Sequence, residues 1–308
     1  MFYGGFLSLE TAKIYFLAVN AVALSTASYL LFVKTLSLHI GECVLITSIL
    51  SMNFFHSVYF GNAGGVMCAF LVIAWLICDR HQYIAGVLIA LSMVKPQDAL
   101  IVCIFLLMMK RIKPLIIGAV IDISAWLATS VLTGKGMLEL VKEFLFMPSE
   151  KVGSPFAGIF TILADNFLLA AFMSMAAGII FVIALYMLLP DEMPEIFKAY
   201  PAFMTVTFWC YSSFNDCYVL ILPACLCLLL MYWSDSFIRS SFWFLGSMWC
   251  SLGFIIASIL TRIFMVLNSG LSKDSAYIYA QNLYEFGVII LGVIMCFELR
   301  RIYSEAKS

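Results

Sequence analysis

The stretch LSMVKPQDAL, residues 91–100, lies inside an apolar run that extends from Tyr83 to Met109 and sets Lys95, Pro96, Gln97 and Asp98 on consecutive positions. A lysine near the centre of a bilayer costs about 2.5–3.5 kcal/mol on insertion scales. Proline removes a backbone donor and breaks the helix ladder. The apolar halves on either side of Lys95-Pro96-Gln97 hold roughly a dozen residues each, and a helix needs about 17–25 to cross. The segment 83–109 therefore reads as a broken re-entrant hairpin with Lys95-Pro96-Gln97 at its tip. A single straight span would invert everything downstream of it.

The rest of the chain says what surrounds that hairpin. Of 308 residues, 64% are hydrophobic and only 11% are charged, against about 25% charged in soluble domains; the mean hydropathy is +1.06. This is the composition of an all-α polytopic membrane protein, one transmembrane domain over 1–308. Net charge is −1, which gives no reason to expect a nucleic-acid partner. His39, His56 and His81 are scattered and form no metal motif, and nothing in the sequence asks for a cofactor. The cysteines lie almost all in apolar segments, with no CxxC pair, as small membrane-helix residues do. The amino-terminus lacks a charged region and a small-residue cleavage site, so it is not read as a signal peptide.

Nine further apolar runs are expected to span, near 14–33, 40–56, 62–78, 114–133, 167–189, 199–213, 217–234, 241–267 and 277–298. With CDRHQ (78–82) and KRIKP (110–114) both cytoplasmic, the hairpin enters and leaves on one side. Lys34, Arg80, Lys110, Arg111, Lys113, Lys198, Arg239, Arg300, Arg301 and Lys307 then lie inside. Lys13, Lys135, Lys142, Lys151 and Lys273 lie outside, and Lys95 and Arg262 in the membrane. This satisfies the positive-inside rule. It also starts the chain outside, one span short of a cytoplasmic amino-terminus. In the external loop 134–166, Met137, Leu140, Val141, Phe144 and Leu145 recur at helical spacing opposite Lys135, Glu139, Lys142 and Glu143. That pattern reads either as an amphipathic helix on the outer membrane surface or as a folded loop without membrane contact.

Most intramembrane polar residues fall on the outer half in this arrangement: His56 and Asn62, the hairpin tip, Asn215 and Asp216, Arg262 and Glu285. Such residues usually face a cavity or one another and mark a substrate path. Lys95 either bridges to Asp98 or Asp216, or joins the amides freed at the start of the half-helix 97–109 to hold a phosphate. Arg262 either snorkels to headgroups or clamps the same anion. Asp216 either caps the following helix or accepts a sugar hydroxyl. His56 is an interfacial aromatic or a catalyst. Glu42 and Asp122, toward the inner side, read as helix-pairing groups. An outward cavity of this kind suits an enzyme acting on a lipid phosphate, and a transporter nearly as well.

Residues 61–120 resemble the core of glycosyltransferase family 87, of the C-type membrane fold. The resemblance rests on Gly61-Asn62, Asp79-Arg80, Ala85-Gly86-Val87-Leu88, Lys95-Pro96-Gln97 and Lys110-Arg111, in that order. MLELVKEFL with GSPFAGIFTIL, and YSSFNDCYVLILPACLCLL, are similar to the family's external loop and to its later aspartate-bearing span, which puts Asp216 on the last aspartate of that motif. The resemblance implies transfer of a sugar, often mannose, from a polyprenyl-phosphate donor to an acceptor on the extracytoplasmic face of a bacterial cytoplasmic membrane. Donor phosphate would fall to Lys95, Gln97 and Arg262, and the sugar or acceptor side to His56, Asn62, Asn215 and Asp216. The family's base is an aspartate in the first external loop, and here the first aspartate is Asp79, on the inner side. The base is thus expected upstream of Met1, leaving Asp216, Asp98 and Glu10 as substitutes and this chain inactive alone. A lipid-linked-sugar flippase and a non-catalytic subunit completed by a partner stand as the alternatives.

Overall fold

The computed structural model describes residues 9–35, 64–140, 167–205 and 220–305, which are helical and contain no strand. Eleven described helices follow one another: α1 Leu9–Thr35, α2 Gly64–Ile77, α3 Gln82–Ser92, α4 Pro96–Met108, α5 Ile112–Thr133, α6 Phe167–Leu188, α7 Glu195–Phe203, α8 Ile221–Tyr232, α9 Phe237–Ser251, α10 Gly253–Leu267 and α11 Lys273–Glu305. By length and apolarity α5 and α11 can each cross a membrane. They do so in opposite settings: α5 is hardly covered by protein, while more than half of the apolar window of α11 is buried. An apolar helix that protein does not cover is one that lipid covers.

The break in the opening stretch falls where its residues demand. α3 stops at Ser92 and α4 starts with Pro96 at a first-turn position, where a missing N–H removes no intrahelical bond. Lys95 precedes it with φ −120° and ψ 81°, outside the helical region.

The two legs also return to one place. Arg111, just ahead of α5, puts its Nε 2.6 Å from Oδ1 of Asp79, just after α2. A straight helix over 82–108 would hold its ends about 40 Å apart, so the bridge is possible only because the segment doubles back. α3 leaves this base beside α5: Lys113 Nζ sits 4.9 Å over the Tyr83 ring. Further along, Gly86 comes so near α5 that a Cβ there would stand 2.6 Å from Ile117 Cβ, and a Cβ on Gly118 would stand 3.2 Å from the Gly86 carbonyl oxygen and from Ile89 Cγ2. α4 is the return leg. Its Phe105 packs edge-on against Trp75 of α2 at 5.9 Å and Tyr186 of α6 at 5.5 Å. Lys110 closes the turn between α4 and α5 at φ 59°, a left-handed conformation unfavourable for a residue with a Cβ.

Several expectations shift. The run 241–267 is not one helix: the axes of Phe237–Ser251 and Ile255–Leu267 are bent by 88°. Leu252 leaves the helical region (φ −110°, ψ 24°), and a Cβ on Gly253 would stand 2.5 Å from the Tyr284 hydroxyl oxygen. The helix expected from 199 begins at Glu195, and its continuation past 205 lies outside the described residues. So does the run 40–56. Of the loop 134–166, residues 137–140 are helical and 141–166 lie outside the described residues.

Candidate functional site: the tip of the hairpin

α3 has 11 residues, a rise of about 16 Å. That is half the roughly 30 Å thickness of a hydrocarbon core and half the length of α5, whose 22 residues rise about 33 Å. Lys95 thus stands midway along α5, half-buried. Ala99 N–H donates to the Lys95 carbonyl at 3.2 Å, while the amides of Gln97 and Asp98 open the helix, where orphan N–H groups and the positive dipole end attract anions. A cation and a helix N-terminus side by side can hold a phosphate. Of Gln97, Asp98 and Glu10, the helical backbone alone is described.

Among the remaining residues singled out in the sequence, Glu42, His56, Asn62, Asn215 and Asp216 lie outside the described residues. Arg262 is exposed on α10 and has no hydrogen-bond or ion-pair partner among the described residues. Asp122 lies ten residues into α5, about 15 Å up, and so stands level with the hairpin tip. It occupies the same stripe as Gly118, one turn further on. Its Oδ2 is buried and has no hydrogen-bond partner among the described residues. Its level was illegible in the sequence because it depends on where α3 and α5 share their base.

The base is held by a feature that sequence reasoning missed. Arg111 donates from Nη1 and Nη2 to the two carboxylate oxygens of Glu195 at 2.8 and 3.0 Å, and from Nη2 to Asp79 Oδ2 at 2.7 Å. One guanidinium fork therefore ties the end of α2, the start of α5 and the start of α7. Burial draws its pKa down, but Cys78, Glu195 and Asp79 outweigh that and hold it above its ordinary value. The usable signal was that all three charges lie in loops assigned to one face. Nearby, Lys198 is buried, donating to the Asp191 carbonyl at 3.0 Å with its Nζ 4.9 Å from the Tyr186 ring centroid. α7, rising from the same base, meets α4 along Ile101, Val102 and Phe105, which with Trp75, Ala199 and Phe203 line a small apolar cavity.

The family model for glycosyltransferase family 87 matches residues 3–210, well over half of the chain and all of the hairpin. No curated protein and no solved structure matches.

Proposed function

The chain belongs to glycosyltransferase family 87, and from that premise we propose that it moves a hexose, mannose foremost, from a polyprenyl-phosphate donor to an acceptor on the extracytoplasmic face of the membrane. It is a membrane protein of a glycosyltransferase family; the donor, sugar and face are our reading. The observation that carries it is the hairpin whose legs meet at Arg111 and whose tip sets Lys95 and a helix N-terminus halfway along α5. A phosphate on a lipid reaches that depth with its chain still in hydrocarbon. In the proposed topology the base of the hairpin is cytoplasmic, nine further segments span, and 134–166 is external.

In this mechanism Lys95 and the amides of Gln97 and Asp98 neutralise the donor phosphate, which leaves as the bond to the sugar breaks. The acceptor hydroxyl attacks the anomeric carbon and gives its proton to a base. Asp216, Asp98 and Glu10 are the carboxylates proposed for that step, with a partner subunit as the other source of a base.

The test is binding and transfer with purified chain in lipid nanodiscs, using polyprenyl-phosphate mannose carrying a labelled sugar. Wild type is expected to bind the donor and Lys95→Ala to lose it. A wild type that binds no polyprenyl-phosphate lipid would overturn the reading. Translocation of the intact lipid-linked sugar without cleavage would replace it with a flippase. A cysteine at 97 that reacts from the cytoplasmic side only would overturn the topology.

A further inference from the structure

On α11, Gln281, Asn282 and Glu285 share one face and are 4%, 7% and 1% exposed. They lie in the stretch read as a span, where polar groups are costly and usually serve a purpose. Their hydrogen bonds are incomplete in a specific way. Gln281 Nε2 donates to Glu285 Oε1 at 2.8 Å, and Asn282 Nδ2 donates to the Ile278 carbonyl at 2.9 Å. Glu285 Oε2 and Asn282 Oδ1, one turn apart, are buried with no hydrogen-bond partner among the described residues. The amide donors fix both side chains and leave one oxygen of each on offer.

Their position follows from packing below them. Cys296 Sγ lies 3.9 Å from the Leu185 carbonyl on α6, and a Cβ on Gly292 would stand 3.1 Å from Met204 Sδ, just past α7. Glu285, Gly292 and Cys296 are spaced seven and four residues apart, so they lie on one stripe. Glu285 therefore stands about 10 Å beyond the end of α7, further from the Arg111 base. α7 also meets α4, where Ile101 and Val102 lie with Ala199 and Phe203. Pro96 is five residues above Ile101, about 8 Å. Pro96 thus stands a few ångströms beyond the end of α7 and Glu285 about 10 Å beyond it, an offset of roughly one sugar ring, on two helices that both pack against α7.

We infer that Gln281, Asn282 and Glu285 form a hydroxyl-binding wall that takes the sugar of the donor whose phosphate lies at Lys95. This rests on the donor reading given above. A sugar hydroxyl both donates and accepts, so it matches a carboxyl oxygen in either role and an amide oxygen as acceptor. The three side chains of the wall carry no cation, so the phosphate falls to Lys95 and not to them. Gln281 is a positioning residue that orients Glu285, while Glu285 and Asn282 touch the sugar.

The experiment compares two lipids on the purified chain in nanodiscs: polyprenyl-phosphate mannose and bare polyprenyl phosphate. Glu285→Ala is expected to weaken the sugar-bearing lipid about tenfold, the worth of about one hydrogen bond at a buried group, and to leave the bare lipid unchanged. Lys95→Ala is expected to weaken both. Glu285→Gln keeps the shape and one oxygen and should lose less than Glu285→Ala; it serves as the readout if the alanine variant does not fold. If wild type binds both lipids and neither Glu285 variant separates them, the wall is wrong and the donor reading survives. Wild type binding neither lipid overturns both.

Discussion

Between α3 and α4 the chain stops at Ser92 and restarts at Pro96; between α9 and α10 it stops at Ser251 and restarts at Gly253. The first interruption is written in the local chemistry. A lysine that resists hydrocarbon precedes a proline that cannot continue a helix. The second carries no charge and no proline, and its cause lies 31 residues away at the Tyr284 hydroxyl, which approaches Gly253 closely enough to exclude a Cβ. The difference also extends to what holds each bend. The hairpin is fixed at its base by Arg111 and along its first leg by Gly86 against α5, so its proline marks the break without carrying it alone. The α9–α10 bend rests on packing with α11.

The largest effect should come from the packing of the first leg. Gly86→Leu would set its Cβ 2.6 Å from Ile117 Cβ and Cγ2 and 2.9 Å from the Pro114 carbonyl oxygen. A backbone atom is among those contacts, so α3 must move off α5. Overpacking of this kind costs about 3 kcal/mol or more, measured as a lowered thermal midpoint in detergent. A variant that melts with wild type would mean that α3 and α5 do not pack through Gly86.

Next comes Gly253→Ala, expected to cost about 2 kcal/mol. Tyr284 is fully buried and its ring stacks on Trp249 at 5.7 Å, so it has little room to withdraw. The sharper measurement is the double variant with Tyr284→Phe. Removing the hydroxyl should make the two changes together cost less than their sum, and strict additivity would break the claim that Tyr284 sets the second bend.

These two sites show what was legible and why. The hairpin, its tip and most helix bounds could be read because charge, proline and apolar run length act within one segment. The position of Lys95 along α5 could not, because it needs the common base at Asp79 and Arg111. Glu285 was visible as an intramembrane charge, but its oriented carboxyl appears only once Gln281 is seen to fill one oxygen. The split of 241–267 was invisible: Gly253 is ordinary in an apolar helix until Tyr284 is placed against it.

Arg111→Ala should have a smaller effect, about 1 kcal/mol. Its partners Asp79 and Glu195 are each 49% exposed, and solvent screens exposed pairs. The same reasoning predicts a salt signature. Raising salt to about 1 M shortens the screening length to about 3 Å, and should lower the wild-type midpoint more than that of Arg111→Ala. Equal salt sensitivity would mean that the fork contributes little to closing the base.

Pro96→Ala should have the smallest effect, less than about 1 kcal/mol, and it tests the contrast most directly. Alanine at the first turn loses proline's preset φ and with it the restriction of the unfolded chain, together worth about 0.4–1 kcal/mol. It also restores an N–H that would permit α3 to run on toward α4. Continuing the helix would have to pull Arg111 from Asp79 and Glu195 and lift α3 from α5, so the hairpin should persist. A cysteine at 97 should then label from the same side whether it is placed in wild type or in the Pro96→Ala variant. If the alanine variant instead changes the labelled side, proline alone makes the break, and the base at Arg111 follows the hairpin rather than holding it.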